Sequence, residues 1–388
     1  MAYDNLNTII VDIQEFFFDN LNNIILGIFI ISLLLQLIYY LGIYSKLLFY
    51  SKKPVKIKKE PISVIICARN EGANLDKFLP SILTQDYPDY EVIVVNDCSS
   101  DDTDEVIGKY IRQYSNLRTT TINEDKKFSH GKKLAITIGI KASRKELLVF
   151  TDADCKAMSN RWLKKIQENF TKEKSIVLGY GGYFPKFSLL NNYIRYDTLI
   201  IAIQYLSYKL AGKPYMGVGR NLAYRKSFFF EKKGFASHYH LLSGDDDLFV
   251  NENANKSNTA IEISEESHTR SIPADSLKQW IKQKKRHMST GKYYKGIHKL
   301  LLGGEQFSRF LYYASFVFLV SKNVLTIYVI YAFIFRTIIQ MVIIKNAMIR
   351  LKEKHLLLTS LFFDILSVIF NFYLYISIRF RRRRHQWK

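Results

Sequence analysis

The sequence predicts an α/β core, a mostly parallel sheet with helices on its faces, set between transmembrane helices. Three observations carry this expectation. Apolar residues gather at the two ends of the 388-residue chain. Between those ends, short apolar runs alternate with helical patterns, the sign of a parallel sheet covered by helices. Those runs close on polar, carboxylate-rich turns, at the strand ends where open α/β sheets bind ligands.

The formal net charge is +21, yet 48% of the residues are hydrophobic. That pairing points to a membrane protein with basic cytoplasmic surfaces. A nucleic-acid binder is excluded as the main reading, because no motif supports it and the apolar ends would go unexplained. Three parts are expected: an N-terminal segment with a transmembrane helix over 1–50, a cytoplasmic domain over 51–300, and C-terminal transmembrane helices with a basic tail over 301–388. Residues 24–44 carry no charge and are long enough to cross a bilayer. The preceding Asp4, Asp12, Glu15 and Asp19 are acidic, which argues against a cleaved signal peptide. Lys46, Lys52, Lys53, Lys56, Lys58 and Lys59 follow the apolar run, so the N-terminus is expected outside and the middle of the chain in the cytoplasm. The expected location is a cell (inner) membrane, crossed several times. Residues 310–344 are long enough for a tight hairpin, interrupted by Lys322 and Arg336, and 356–378 form another candidate span, broken by Asp364. The tail with Arg379, Arg381, Arg382, Arg383 and Arg384 reads as cytoplasmic, so an even number of crossings is expected after the domain, with one apolar stretch interfacial or re-entrant.

Within the domain, residues 63–68 read as a buried strand, then the turn Arg69-Asn70-Glu71-Gly72 and a helix toward Leu83. The next strand, 90–95, ends in Asn96-Asp97-Cys98-Ser99-Ser100-Asp101-Asp102-Thr103, whose Ser and Asp residues can cap the following helix. A helix over 132–141 leads to the apolar run 147–150 and then Thr151-Asp152-Ala153-Asp154. Two carboxylates one residue apart suit a hard divalent cation, although a solvated acidic turn has the same pattern. Ser243-Gly244-Asp245-Asp246-Asp247 crowds three carboxylates. Such crowding raises a carboxyl pKa and improves a general base; an acidic helix N-terminus is the alternative. Gln283-Lys284-Lys285-Arg286-His287, with Lys278, Lys282 and Lys292, reads as a basic interfacial helix against anionic lipid, and Arg286 can bind phosphate oxygens bidentately. The glycines of 212–221 permit close backbone approach. The three cysteines, Cys67, Cys98 and Cys155, show no metal-ligand spacing and read as reduced core thiols.

The run Val64-Ile65-Ile66-Cys67-Ala68-Arg69-Asn70-Glu71, followed by Val94-Val95-Asn96-Asp97 and Thr151-Asp152-Ala153-Asp154, resembles family 2 glycosyltransferases, over roughly 61–289. The flanking helices are similar to those of membrane-anchored, polysaccharide-synthase-like members. The resemblance implies a GT-A fold, Rossmann-like with a mostly parallel sheet, and a nucleotide-diphosphate sugar donor, a UDP-sugar by family habit. It implies that Ala68, Arg69, Glu71 and Asp97 line the nucleoside pocket, with Asp97 accepting a hydrogen bond from the base. Glu71 reads alternatively as a carboxylate at a helix N-terminus. Lys132 would lie near the diphosphate, or be a solvated surface lysine. Asp154 would ligate Mg2+ or Mn2+, and Asp152 would bind the donor ribose or sugar. The acidic run matches the motif that supplies the base of inverting members, which is Asp246 in one register and Asp245 in another. Gln283, Arg286 and His287 stand where synthases of this family carry Q-x-x-R-W, with His287 in place of Trp. The implied function is inverting transfer of a sugar to a lipid-linked or glycan acceptor at the cytoplasmic face, with membrane lipids as further partners and no nucleic acid. A processive polysaccharide synthase and an inactive membrane scaffold remain the competing readings.

Overall fold

The computed structural model describes residues 2–52, 59–123, 131–241 and 243–379, with the backbone alone for 2–19 and 379. Lys53, Lys56, Lys58 and the arginines from Arg381 to Arg384 lie outside the described residues. Ten strands follow in chain order: β1 (Ile62–Ala68), β2 (Tyr90–Asp97), β3 (Leu117–Ile122), β4 (Leu147–Asp152), β5 (Cys155–Ala157), β6 (Ile176–Gly179), β7 (Gly181–Tyr183), β8 (Leu222–Arg225), β9 (Thr259–Glu262) and β10 (Thr269–Ser271). Seven of them form one sheet in the order β3-β2-β1-β4-β8-β6-β9. The pairs among β3, β2, β1 and β4 are parallel, and β8 runs antiparallel to both neighbours.

The near-continuous apolar runs of β1, β2 and β4 are explained by burial on both faces. Alternate residues Ile65, Ile93, Val95 and Leu148 join a core with Ala135, Ile136 and Ile140 of the helix Lys132–Ala142. Their neighbours Val64, Ile66, Val92 and Val149 join a second core with Leu75 and Leu79 of Gly72–Leu83 and Ile166 of Trp162–Gln167. Period-two alternation thus serves two cores. The register sets Cys67 beside Asp152 and Ala68 beside Asn96, so the carboxyl ends of β1, β2 and β4 form one edge. The antiparallel β8 begins at that edge, pairing Leu222 with Phe150. A second sheet, β5-β10-β7, follows directly on Asp154.

Among the described residues, three helices are long and apolar enough to cross a membrane: Asn20–Leu48, Thr326–Arg350 and Leu357–Ile378. The stretch 310–344, read as a tight hairpin, falls in two helices, Gly296–Ser321 and Thr326–Arg350, joined by a turn in which Asn323 (φ +55°) and Leu325 (φ +46°) are left-handed. The first helix starts well before 310 because its polar residues find partners across the bundle. Gln36 donates to the Ser308 hydroxyl at 2.9 Å, and the Phe29 and Tyr312 rings stack at 5.3 Å. The charges that interrupt the apolar runs are paired. Arg309 lies 2.7 Å and Arg336 3.2 Å from the Asp364 carboxylate, all three at most 2% exposed, and Tyr313 donates to the same group. Buried charges persist in apolar surroundings only when paired in this way. Asp364→Asn should therefore destabilise the detergent-purified protein by about 3–5 kcal/mol, read as a lower midpoint of thermal unfolding.

Candidate active site

At the end of β4, the Asp152 carboxylate accepts from Lys132 Nζ at 2.7 Å, and the same ammonium lies 3.4 Å from Asp245 Oδ2. Lys132, the first residue of its helix, thus bridges a strand end and the acidic loop and is not a solvated surface lysine. Burial acts to lower its pKa, but Asp152, Asp245 and Asp246 outweigh that and hold it well above the usual range. Burial acts to raise Asp152, yet Lys132, Arg220 and Arg286 hold it below the ordinary value.

Two residues on, Asp154 Oδ2 accepts from the Ser271 hydroxyl of β10 at 2.5 Å. Ligand atoms of Asp152, Asp154 and Cys155 all lie within 4.8 Å of one another. Burial, and then the Asp152 charge, push the Asp154 pKa up, a repulsion that a divalent cation would relieve. The two carboxylates fit Mg2+ or Mn2+, which take oxygen ligands. Cys155 does not fit: burial and the neighbouring aspartates push its thiol well above the usual range, so it stays protonated.

Gly244 adopts φ +104°, a left-handed turn that aims the three following carboxylates. Asp246 caps the helix Asp247–Asn253, accepting from the Asp247 amide at 2.8 Å and from the Gly219 amide at 2.7 Å. A Cβ at position 219 would stand 3.3 Å from both the Asp246 carboxylate and Lys132 Nζ, so the close approach allowed by the glycine-rich loop is to these two groups. Asp247 is occupied: its carboxylate accepts from Tyr294 at 2.7 Å, from Thr290 and from the Leu248 amide. Asp245 is buried against Lys132. Asp246 lines the same cavity as Lys132 and Asp152, and burial, then Asp245 and Asp247, push its pKa up to about 7.

Two residues of this site were not singled out by the sequence. Lys133 turns inward, and its ammonium donates to the carbonyls of His238, Leu241 and Ser243 at 2.6, 2.9 and 2.7 Å, pinning the loop that leads into the acidic run. Burial pulls its pKa down to about 8. Arg220 stacks its guanidinium 4.4 Å from the Tyr183 ring centroid and donates to the Gly181 carbonyl at 2.9 Å. Its own carbonyl accepts from Thr151 and Thr269. Both were visible only as members of the Lys-Lys pair and the glycine-rich loop; neither spacing reveals which way a side chain turns.

Gln283 donates to the Tyr183 hydroxyl at 3.2 Å. Arg286 and His287 follow one turn later on the helix Leu277–Met288, both exposed, with Arg286 near enough to act on Asp152. At the other flank, Ala68 closes β1 and Arg69 is half-buried. Asp97 is buried at the end of β2, 1% exposed. Glu71 precedes the helix Gly72–Leu83, but its carboxylate accepts from the Asn74 side chain at 2.6 Å and makes no capping bond to the backbone. Asp101 takes the capping role at both turns, accepting from the Gly72 and Thr103 amides at 3.1 Å each. The structure therefore gathers Lys132, Asp152, Asp154, Asp245 and Asp246 at one edge, with Gln283 tied to it through Tyr183, and sets the Ala68, Arg69, Glu71 and Asp97 group at the adjoining strand ends.

Residues 63–231 match the family model described as Glycosyl transferase family 2. A stretch of 106 residues is 35% identical to glycosyltransferase AglE of Haloferax volcanii, covering 27% of this chain and 33% of that protein. A stretch of 100 residues is 34% identical to the poly-beta-1,6-N-acetyl-D-glucosamine synthase of Staphylococcus epidermidis, covering 24% of this chain and 22% of that one. The matches thus span no more than a third of the length of these two curated relatives. Among solved structures, the mannosyltransferase PcManGT from Pyrobaculum calidifontis, in complex with GDP-Man and Mn2+, aligns over 86% of this chain and 100% of its own with a TM-score of 0.58 and 17% identity, a likeness of fold. On the match and the fold together, residues 63–231 form a family 2 glycosyltransferase domain within a GT-A fold, flanked by apolar helices.

Proposed function

We propose that the protein is an inverting glycosyltransferase that moves a sugar from a nucleotide-diphosphate donor to a lipid-linked or glycan acceptor at the cytoplasmic membrane face. The observation that carries this reading is the separation of carboxylates by environment along one cleft. Asp152 is held ionised by Lys132, while Asp246 is pushed up to about 7. Groups whose surroundings drive their pKa values apart are suited to different roles.

In this mechanism Asp246 accepts the proton of the acceptor hydroxyl, whose oxygen attacks the anomeric carbon as the bond to the diphosphate breaks on the opposite face. Asp245 is the alternative base, but its pairing with Lys132 makes it the weaker candidate. Arg220 and Arg286 receive the charge that builds on the departing diphosphate, Arg as a fork suited to phosphate oxygens. A divalent cation held by Asp154, Mg2+ or Mn2+, would supply Lewis-acid neutralisation of the same charge. Asp152 would orient the donor sugar or ribose, and Ala68, Arg69, Glu71 and Asp97 would enclose the nucleoside. The fold likeness to a protein bound to GDP-Man and Mn2+ supports a nucleotide-sugar donor and a divalent ion here; UDP- and GDP-sugars are both to be tested. His287 offers less surface to a pyranose than Trp would, which favours single addition. The similarity to a poly-beta-1,6-N-acetyl-D-glucosamine synthase favours polymerisation instead, and product length with labelled donor separates the two.

The direct test is a panel of nucleotide sugars with Mn2+ or Mg2+ and the purified full chain. Metal-dependent binding and transfer are expected for one donor class, and no turnover of any donor would sink the reading. Asp246→Asn should lower kcat by about 10³-fold with donor binding intact. The active form of Asp246 is the carboxylate, so kcat/KM should fall about tenfold per pH unit below about 7. Because the folded-state pKa lies above the unfolded value, the stability this group contributes is present at low pH and lost as pH rises through about 7. Asp246→Asn should accordingly raise the unfolding midpoint at pH 8 and not at pH 4. Lys133→Met removes three bonds from a charged donor, each worth about 1.5–3 kcal/mol. It should lower kcat and the unfolding midpoint together while Mn2+ binding at Asp154 persists.

A further inference from the structure

The loop that joins the last two apolar helices reaches into the catalytic domain. Its Glu353 is 4% exposed and accepts four hydrogen bonds. Arg195, from the helix Leu189–Leu210, donates to Oε2 through Nε at 3.0 Å and Nη2 at 2.6 Å. Arg270 of β10 donates to Oε1 at 2.7 Å, and Tyr180 does so at 3.0 Å. The same arginines hold the loop backbone, Arg270 at the Lys352 carbonyl (2.9 Å) and Arg195 at the Lys354 carbonyl (3.0 Å). Lys352 and His355 are both left-handed, with φ of +54° and +61°, a conformation non-glycine residues hold only when their surroundings fix it.

Arg270 sits between the two residues of β10 that serve the donor site. Ser271 donates to Asp154, and Thr269 donates to the Arg220 carbonyl. Arg270 also donates at 2.8 Å to the carbonyl of Tyr183, whose ring lies against Arg220 and whose hydroxyl accepts from Gln283. One carboxylate from the loop between two apolar helices therefore neutralises the arginine at the middle of the short strand that presents Ser271. Such short strands, three residues each, have little stability of their own.

We propose that Glu353 is a positioning residue of the donor site: through Arg270 it fixes β10 so that Ser271 orients Asp154 for a divalent cation and Tyr183 holds Arg220. This rests on the donor-site reading above. The seat of the last two apolar helices is thereby coupled to cation affinity.

The test is Mn2+ binding by the detergent-purified full chain, read by electron paramagnetic resonance with UDP and, separately, with GDP, without turnover. Glu353→Gln leaves the two arginines without their counter-charge and should weaken Mn2+ binding about tenfold. Ser271→Ala should weaken it in the same direction, and Glu353→Asp should restore much of the affinity. Nucleotide binding without metal should weaken less than Mn2+ binding, since β1 and β2 carry the nucleoside and only the diphosphate contact of Arg220 passes through Tyr183. A merely structural Glu353 would lower the unfolding midpoint and leave the Mn2+ affinity of the folded fraction at the wild-type value; that result overturns the proposal. Wild-type protein that binds no Mn2+ with either nucleotide overturns it as well, and is distinguishable because the donor-site reading then fails first. If Glu353→Gln does not fold, Tyr180→Phe removes a single donor to the same carboxylate. A several-fold weaker Mn2+ affinity then supports the proposal, and an unchanged one overturns it.

Discussion

Lys132 stands between two groups of carboxylates that would otherwise face each other at close range. On one side is Asp152 at the end of β4, on the other Asp245 and Asp246 in the loop before a short helix. At such distances in partly buried surroundings, like charges repel by several kcal/mol, so the acidic loop could not dock on the sheet edge without a cation between them. The lysine also divides the labour. It takes up the charge of Asp152 and Asp245 and leaves Asp246 with neutral donors, the Gly219 and Asp247 amides. Lys132 thus holds the Asp152 pKa low, while burial, Asp245 and Asp247 keep that of Asp246 high against it.

The same problem is solved twice more at the membrane side. Asp364 lies between Arg309 and Arg336 inside the apolar helices. Glu353 lies between Arg195 and Arg270 where the helices meet the domain. Each is a single carboxylate serving two arginines, and each joins segments far apart in the chain. Apolar helices that pack only through hydrocarbon could slide and rotate, whereas paired buried charges fix register. The carboxylate-lined sheet edge is thus linked to the last two apolar helices through Ser271, Arg270 and Glu353.

The strands that build the catalytic edge were legible because β1, β2 and β4 are apolar runs that stop abruptly at polar turns, and burial on both faces leaves no alternation to obscure them. Asp154 stood out for the same reason, and the acidic run because it crowds three carboxylates. The β5-β10-β7 sheet was not legible, since three-residue strands have no period to read. Nor were Arg220 and Lys133, whose roles depend on which way a side chain turns. The hairpin placed at 310–344 began too late because Glu305 and Arg309 break the apolar run. Glu305 pairs with Arg309 one turn on, but Arg309 also pairs with Asp364, 55 residues away, and no local pattern announces that partner. Asp154 could be named from its strand end, but the hydroxyl that orients it lies 117 residues on.

In the proposed mechanism Asp154 and Asp246 belong to one site and do different work in it. The measurement that tests it most directly is the anomalous scattering of Mn2+ in a structure of the full chain with bound nucleoside diphosphate. A single strong peak is expected about 2.1 Å from an Asp154 oxygen, with the diphosphate between it and Arg220 and with Asp246 outside the coordination sphere. A peak coordinated by Asp245 or Asp246 with Asp154 left unligated would contradict it.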